Sequence, residues 1–253
     1  MSPELSRTMP AAAAPMNEGS RLLGVFFEPR RTFADIAERP RWIVPLLAAL
    51  LFGAAFLYVF NTKVGWQTYL HRITDNNPRM LQLAEDQRQR IFDTQLRIVP
   101  IFSYVSVFVI VPLTFLLAAA ISMGIIQGLL GVPIRFKQAF AAFCYASLPR
   151  ALYGVLAIVV ILVSPHREDV DPQNAFLSNA SALMDPQTSS KFLYTLASGL
   201  DFFVLWVMIL AAMGLKAAGG KKLSFGGAFF AVALPYAVWI FIRSGLAAAG
   251  LMG

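Results

Sequence analysis

Charge is scarce in this sequence. Asp, Glu, Lys and Arg make up 14% of its 253 residues, against about 25% in soluble domains. Apolar residues reach 57% and gather into runs, more than a soluble core of this length calls for. Cysteine is almost absent: Cys144 stands alone, which excludes an intrachain disulfide. Histidine is as sparse, with His71 and His166 both in polar stretches. The segment HREDVD at 166–171 sets Glu168, Asp169 and Asp171 near His166. It lacks metal-ligand spacing and contains an arginine, so it reads as a solvated acidic loop. HExxH, Gly-x-Ser-x-Gly and a phosphate-cradling glycine loop are all missing, so neither catalysis nor a cofactor is expected. The alanine run at 11–14 is too short for a signal-peptide h-region, leaving the first apolar span as the insertion signal. A net charge of +7 could suit nucleic acid. The basic residues instead sit in small groups between apolar runs, and no recognition module is present, which excludes that partner.

What is there is a series of five stretches long enough, at about 1.5 Å per residue, to cross a bilayer. They cover about 42–62, 102–129, 137–163, 192–215 and 224–249. The second lies in an uncharged run, 98–134, too long for one span and too short for two. One long helix, bent at Pro100 and Pro112, is expected there. Asn77-Pro78 is suited to start an amphipathic helix that carries Leu81, Ala84, Ile91 and Phe92 into it. The fold class is therefore all-α: a polytopic membrane protein, a bundle of five transmembrane helices with a short N-terminal interfacial helical segment.

Residues 1–19 are rich in Pro, Ala and Met and read as a flexible cytoplasmic tail. Residues 20–41 read as the interfacial amphipathic segment. An apolar stretch from Ser20 ends at Pro29, and a second short helix is expected to start at Thr32 with Asp35 three residues on. Phe33 and Ile36 share one face of it, with arginines around its ends, a pattern that fits the lipid–water boundary. Trp42 and Tyr58 fit aromatic belts at the two edges of the first span.

The short turns at 131–137 and 216–222 hold Arg135, Lys137, Lys216, Lys221 and Lys222 and no acid. Six further arginines precede the first span. The positive-inside rule then places the N-terminus and both turns in the cytoplasm, with 63–97 and 164–191 outside. The spans also hint at a repeat. Ala142-Phe143 precedes Leu148-Pro149-x-Ala151 as Ala228-Phe229 precedes Leu234-Pro235-x-Ala237, and Met123-Gly124 and Met213-Gly214 end the preceding spans.

Three charges interrupt the runs: Arg150, Asp201 and Arg243. A charge at a helix centre costs about 2.5–3.5 kcal/mol on insertion scales, so such residues face a partner or a wet cavity. Helical rise places Asp201 ~13 Å, Arg243 ~9 Å and Arg150 ~20 Å from the outer surface. Asp201 and Arg243 are thus expected to pair, with Arg150 the other candidate. An interior pair that fixes packing and a substrate or ion pathway both remain open, and the small number of polar groups per span favours the first.

The segment LGVFFEPRRTFADIAERPRWIVP at 23–45 resembles the leading signature of the Yip family of Ypt/Rab-interacting membrane proteins, in its bacterial branch. Phe26, Pro29, Thr32, Phe33, Ile36, Arg39, Pro40, Trp42 and Pro45 carry the likeness, and ASLPRAL at 146–152 and the stretch 205–215 are similar to its third and fourth spans. The resemblance implies a five-span bundle with a cytoplasmic N-terminus in the bacterial inner membrane. Eukaryotic members are associated with Rab GTPases and vesicle traffic, and some bacterial members resemble accessory partners of transport complexes. It implies no catalytic residue. The function expected is that of a scaffold or accessory partner for other membrane proteins, with the bilayer around it and a homo-oligomer compatible with the pattern. The alternative is a small transporter or channel using Arg150, Asp201 and Arg243.

Overall fold

The computed structural model describes residues 15–75, 78–165, 178–185 and 188–251. Most of the expected tail, the Asn77 cap and the 166–171 acidic loop lie outside them. The chain is helical, and five helical stretches are long and apolar enough to span a membrane: Ile43–Lys63, Glu85–Gly128, Phe136–Val163, Phe202–Lys222 and Phe225–Ala248.

Two short helices precede the spans. Helix α1 (Glu18–Phe27) starts before the expected Ser20 because the Asn17 side chain caps it, accepting from the Ser20 N–H at 2.7 Å. Helix α2 (Pro29–Glu38) starts at Pro29 rather than at Thr32, since proline's fixed φ suits a first helical position. Thr32 lies inside the helix, where its hydroxyl donates to the Glu28 carbonyl at 3.0 Å. The two helices cross closely at Gly24, where a Cβ would lie 2.3 Å from Thr32 Oγ1. Helix α3 (Ile43–Lys63) forms the first span, followed by α4 (Trp66–Asp75) and the single turn α5 (Pro78–Leu81).

Helix α6 (Glu85–Val105) and α7 (Val111–Gly128) make one long rod joined by a π-helical turn at Ser106–Ile110. Pro112 has no N–H to offer the Phe108 carbonyl and its ring crowds it. The widened turn just before it, closed by the Val111 N–H on the Ser106 carbonyl, accommodates that mismatch. Pro100 sits within α6.

The third and fourth spans depart from the expected single helices. The third is split into α8 (Phe136–Ala146) and α9 (Leu148–Val163), with Ser147 between them and Pro149 in the first turn of α9. The expected helix at 192–215 is split into α10 (Lys191–Gly199) and α11 (Phe202–Gly219), and only α11 belongs to a spanning stretch. Helix α12 (Phe225–Ala248) is the fifth, with Pro235 inside it.

Helix α11 is the hub, packing against α8, α9, α12 and α2. Residues 139–149 are all buried, so α8 is enclosed on every side from Ala139 onward. Where α11 crosses α8 the backbones approach closely: a Cβ on Gly214 would lie 2.5 Å from Ala142 Cβ and 3.0 Å from Phe33 Cδ1. Phe33 and Ile36 are 1% exposed. The apolar face of α2 therefore meets protein rather than lipid, while Leu23 and Phe27 of α1 remain exposed. Trp42 likewise packs on Phe140, ring centroids 5.3 Å apart.

Candidate functional site

The three charges singled out from the sequence line one cavity of about 550 Å3 at the end of the bundle opposite α2. Its walls come from the first two turns of α9, from the segment at Asn179 and Ser181, from α10, from the start of α11 and from Tyr236 to Arg243 of α12.

Asp201 reaches it because the chain breaks at Leu200. Helix α10 ends at Gly199, where α12 passes so close that a Cβ would lie 2.3 Å from Ile240 Cδ1. The Tyr236 hydroxyl then donates to the Gly199 carbonyl at 2.7 Å, pinning the turn to α12. The Asp201 side chain caps α11, accepting from the Val204 N–H at 3.0 Å and from the Ser178 hydroxyl. A short antiparallel bridge between Asn179 and Asp201 holds that segment in place. Asp201 is thus a helix cap rather than a charge inside a continuous span. The signals for this were local: Gly199 as a stop, then Asp before an apolar run.

Arg150 is exposed and its guanidinium lies over the Tyr153 ring, 5.7 Å from the centroid. Arg243 is half-buried on α12. Among the described residues neither arginine lies within 4 Å of the Asp201 carboxylate, so the expected ion pair is replaced by capping. Two cations thus line the cavity beside one carboxylate already engaged by an N–H and a hydroxyl. Such a recess favours an anionic or hydrogen-bond-accepting occupant. Among the described residues no three His, Cys, Asp or Glu side chains converge as metal ligands would.

A second polar cluster, of which the sequence pointed only to Asp35 and only as a helix-capping residue, locks the N-terminal helices to the bundle. The Arg21 side chain is 1% exposed, and its Nη2 and Nε reach Asp35 Oδ2 at 2.5 and 2.7 Å. The Tyr145 hydroxyl of α8 donates to Glu18 Oε2 at 2.5 Å. Burial works against the Arg21 charge, yet hydrogen bonds to Asp35 and to the Tyr145 hydroxyl outweigh it and hold its pKa above the ordinary value. The Gln138 amide of α8 adds a bond to the Ala37 carbonyl at 2.8 Å.

The motif residues have structural places in this assembly. Pro29 opens α2, Thr32 fits beneath Gly24, Phe33 fits against Gly214, and Arg39 lies 4.0 Å from Asp35. Pro40 is half-buried in the link to Trp42.

The family model of the Yip1 domain matches residues 23–243 of the chain, from the first helix to Arg243. No curated protein and no solved structure matches it.

Proposed function

The chain belongs to the Yip1 domain family, and we propose that it acts without catalysis, as a scaffold or accessory partner in the assembly or trafficking of other membrane proteins. Its place is the bacterial inner membrane, with the N-terminus and the two basic turns on the cytoplasmic side. The observation that carries this reading is that the bundle is tightly packed beyond the cavity. Directly before Arg150 the chain is buried without interruption over 139–149. Ala211, Ala212, Ala228 and Ala231 fill the bundle below it with no exposed surface. A recess backed by packed helices suits binding of a partner's polar group better than passage of a solute.

The alternative, a small transporter or channel, draws on the same cavity. Reconstituted protein tests the two. With a panel of inorganic ions and small organic anions, the purified protein in proteoliposomes is expected to carry no flux above empty vesicles. Photo-crosslinkers at Trp239 and Tyr194, on the cavity wall, are expected to trap a discrete membrane protein in native membranes, with capture lost on Arg150→Leu. Saturable flux that Arg150→Leu or Arg243→Leu abolishes would replace the scaffold with the transporter.

A further inference from the structure

A second cavity, of about 950 Å3, lies at the other end of the bundle, between α2, the turn before α8 and the last turns of α11. Three cations face it from three separate elements: Arg30 on α2, Arg135 at the start of α8 and Lys216 on α11. Glu38 is the acid on its wall. Among the described residues, none of the three cations has a carboxylate within 4 Å. The neighbouring arginines differ in this, since Arg21, Arg31, Arg39 and Arg41 are all paired. Three cations against one acid leave a net positive field in the groove, where apolar walls strengthen it.

The lower wall is apolar and belongs to the membrane-spanning helices. Ile209, Met213, Lys216 and Ala217 follow one another at i, i+4, i+7 and i+8, so they share one face of α11. Ile209 lies roughly 10 Å along the helix from Lys216. It and Phe225, at the start of α12, are 37% and 45% exposed. A charged rim above an apolar stripe of this length matches a phosphate headgroup and the first part of its acyl chain. A soluble anion or an acidic peptide would leave the stripe uncovered. The groove is also held in shape. Gln138 ties the Ala37 carbonyl of α2 to α8 while its Oε1 accepts from the Arg135 N–H at 3.0 Å.

We infer that this groove is a binding site for an anionic phospholipid, with Arg30, Arg135 and Lys216 on its phosphate and Ile209, Met213 and Phe225 along its chain. The acid-free basic turns place this end at the cytoplasmic leaflet, where anionic lipids attract basic residues.

The test uses the full chain in neutral detergent, with short-chain phosphatidylglycerol, phosphatidylcholine of the same chain length, and inorganic phosphate as probes, read by native mass spectrometry. Phosphatidylglycerol is expected to bind at least tenfold more tightly than phosphatidylcholine. The double variant Arg135→Gln/Lys216→Gln should weaken it about 25-fold, roughly fivefold per charge removed at a lipid surface. Arg97→Gln, on the long rod toward the opposite end, should leave it unchanged. If the double variant does not fold, the single Arg30→Gln should still weaken binding about fivefold. Equal binding of the two lipids overturns the assignment, as does undiminished binding by the variants. Complete displacement of phosphatidylglycerol by millimolar phosphate would make this a soluble-anion site instead. Capture of a polyglutamate peptide in place of either lipid would make it a peptide site.

Discussion

The two ends of the bundle are built from the same helices, α11 and α12 together with the split third span, yet to different effect. At the end that receives α1 and α2, small residues let backbones touch: Gly214 against Ala142, with Ala139, Ala146 and Ala228 fully buried nearby. At the other end the helices part around the Arg150–Asp201–Arg243 cavity and are held by caps and hydroxyls. Inside a membrane the hydrophobic effect does not favour helix–helix over helix–lipid contact, so association rests on close packing and on polar bonds. Both devices occur at both ends, but the interior of the first end is closed, with its groove lying between α2 and α11, whereas the second opens its interior to a ligand.

The sharpest way to break that contrast is at the closed end, where the Arg21–Asp35 pair anchors the N-terminal helices. Removing one partner of a buried pair leaves the other uncompensated, which costs about 3–5 kcal/mol. Arg21→Leu should therefore melt or loosen the protein by about that much, as read by thermal unfolding in detergent. The double Arg21→Leu/Asp35→Leu variant should recover a large part of the loss. Stability unchanged in Arg21→Leu would mean that α1 and α2 are not anchored through this pair.

Next in size is the packing at Gly214. Gly214→Val forces a side chain into the space held by Ala142 and Phe33, and overpacking of this kind costs about 1–3 kcal/mol. Its counterpart in the sequence repeat, Gly124, has no neighbour within 4 Å of where a Cβ would stand. Gly124→Ala should gain up to about 1 kcal/mol from helix propensity. Comparable losses at both positions would restore the equivalence that the Met-Gly repeat suggested.

How far such contrasts were legible depends on what kind of signal carried them. The spans were legible because lipid demands long uninterrupted apolar runs: the first is found at Ile43–Lys63 and the fifth at Phe225–Ala248, within about one residue of expectation. The repeat was legible only as letters. Pro149 follows a break at Ser147, whereas Pro235 sits inside a continuous helix, so the same Leu-Pro pair has two different local structures. The fate of Phe33 was not legible either. An amphipathic pattern says that a face is apolar but not whether lipid or protein covers it, and the glycine that receives Phe33 lies far away in sequence. Arg21 was invisible for a similar reason: beyond Glu18 on its own helix, its partners come from α2 and α8. The three charges stood out as interruptions of apolar runs, and the structure sets them around one cavity. What binds Asp201 was hidden by the assumption of a continuous span.

The smallest expected effect tests that last point and belongs to the open end. Capping and ion pairing both make Asp201 stabilising, but they respond differently to its neighbours. A cap needs a side-chain acceptor near the Val204 N–H, so Asp201→Asn should keep most of the stability, while Asp201→Ala should lose about 1 kcal/mol. A pair with Arg243 needs the negative charge, so Asn would fail there nearly as badly as Ala. The two accounts diverge again in the double variant. With Asp201 as a cap, Arg243→Leu should add its own effect to that of Asp201→Ala, since no ion pair within 4 Å couples the two side chains among the described residues. Rescue of Asp201→Ala by Arg243→Leu, or an Asn variant as unstable as Ala, would return Asp201 to the arginine. The cavity would then be a salt-bridged packing feature, and the difference between the two ends of the bundle would shrink to one of residue size.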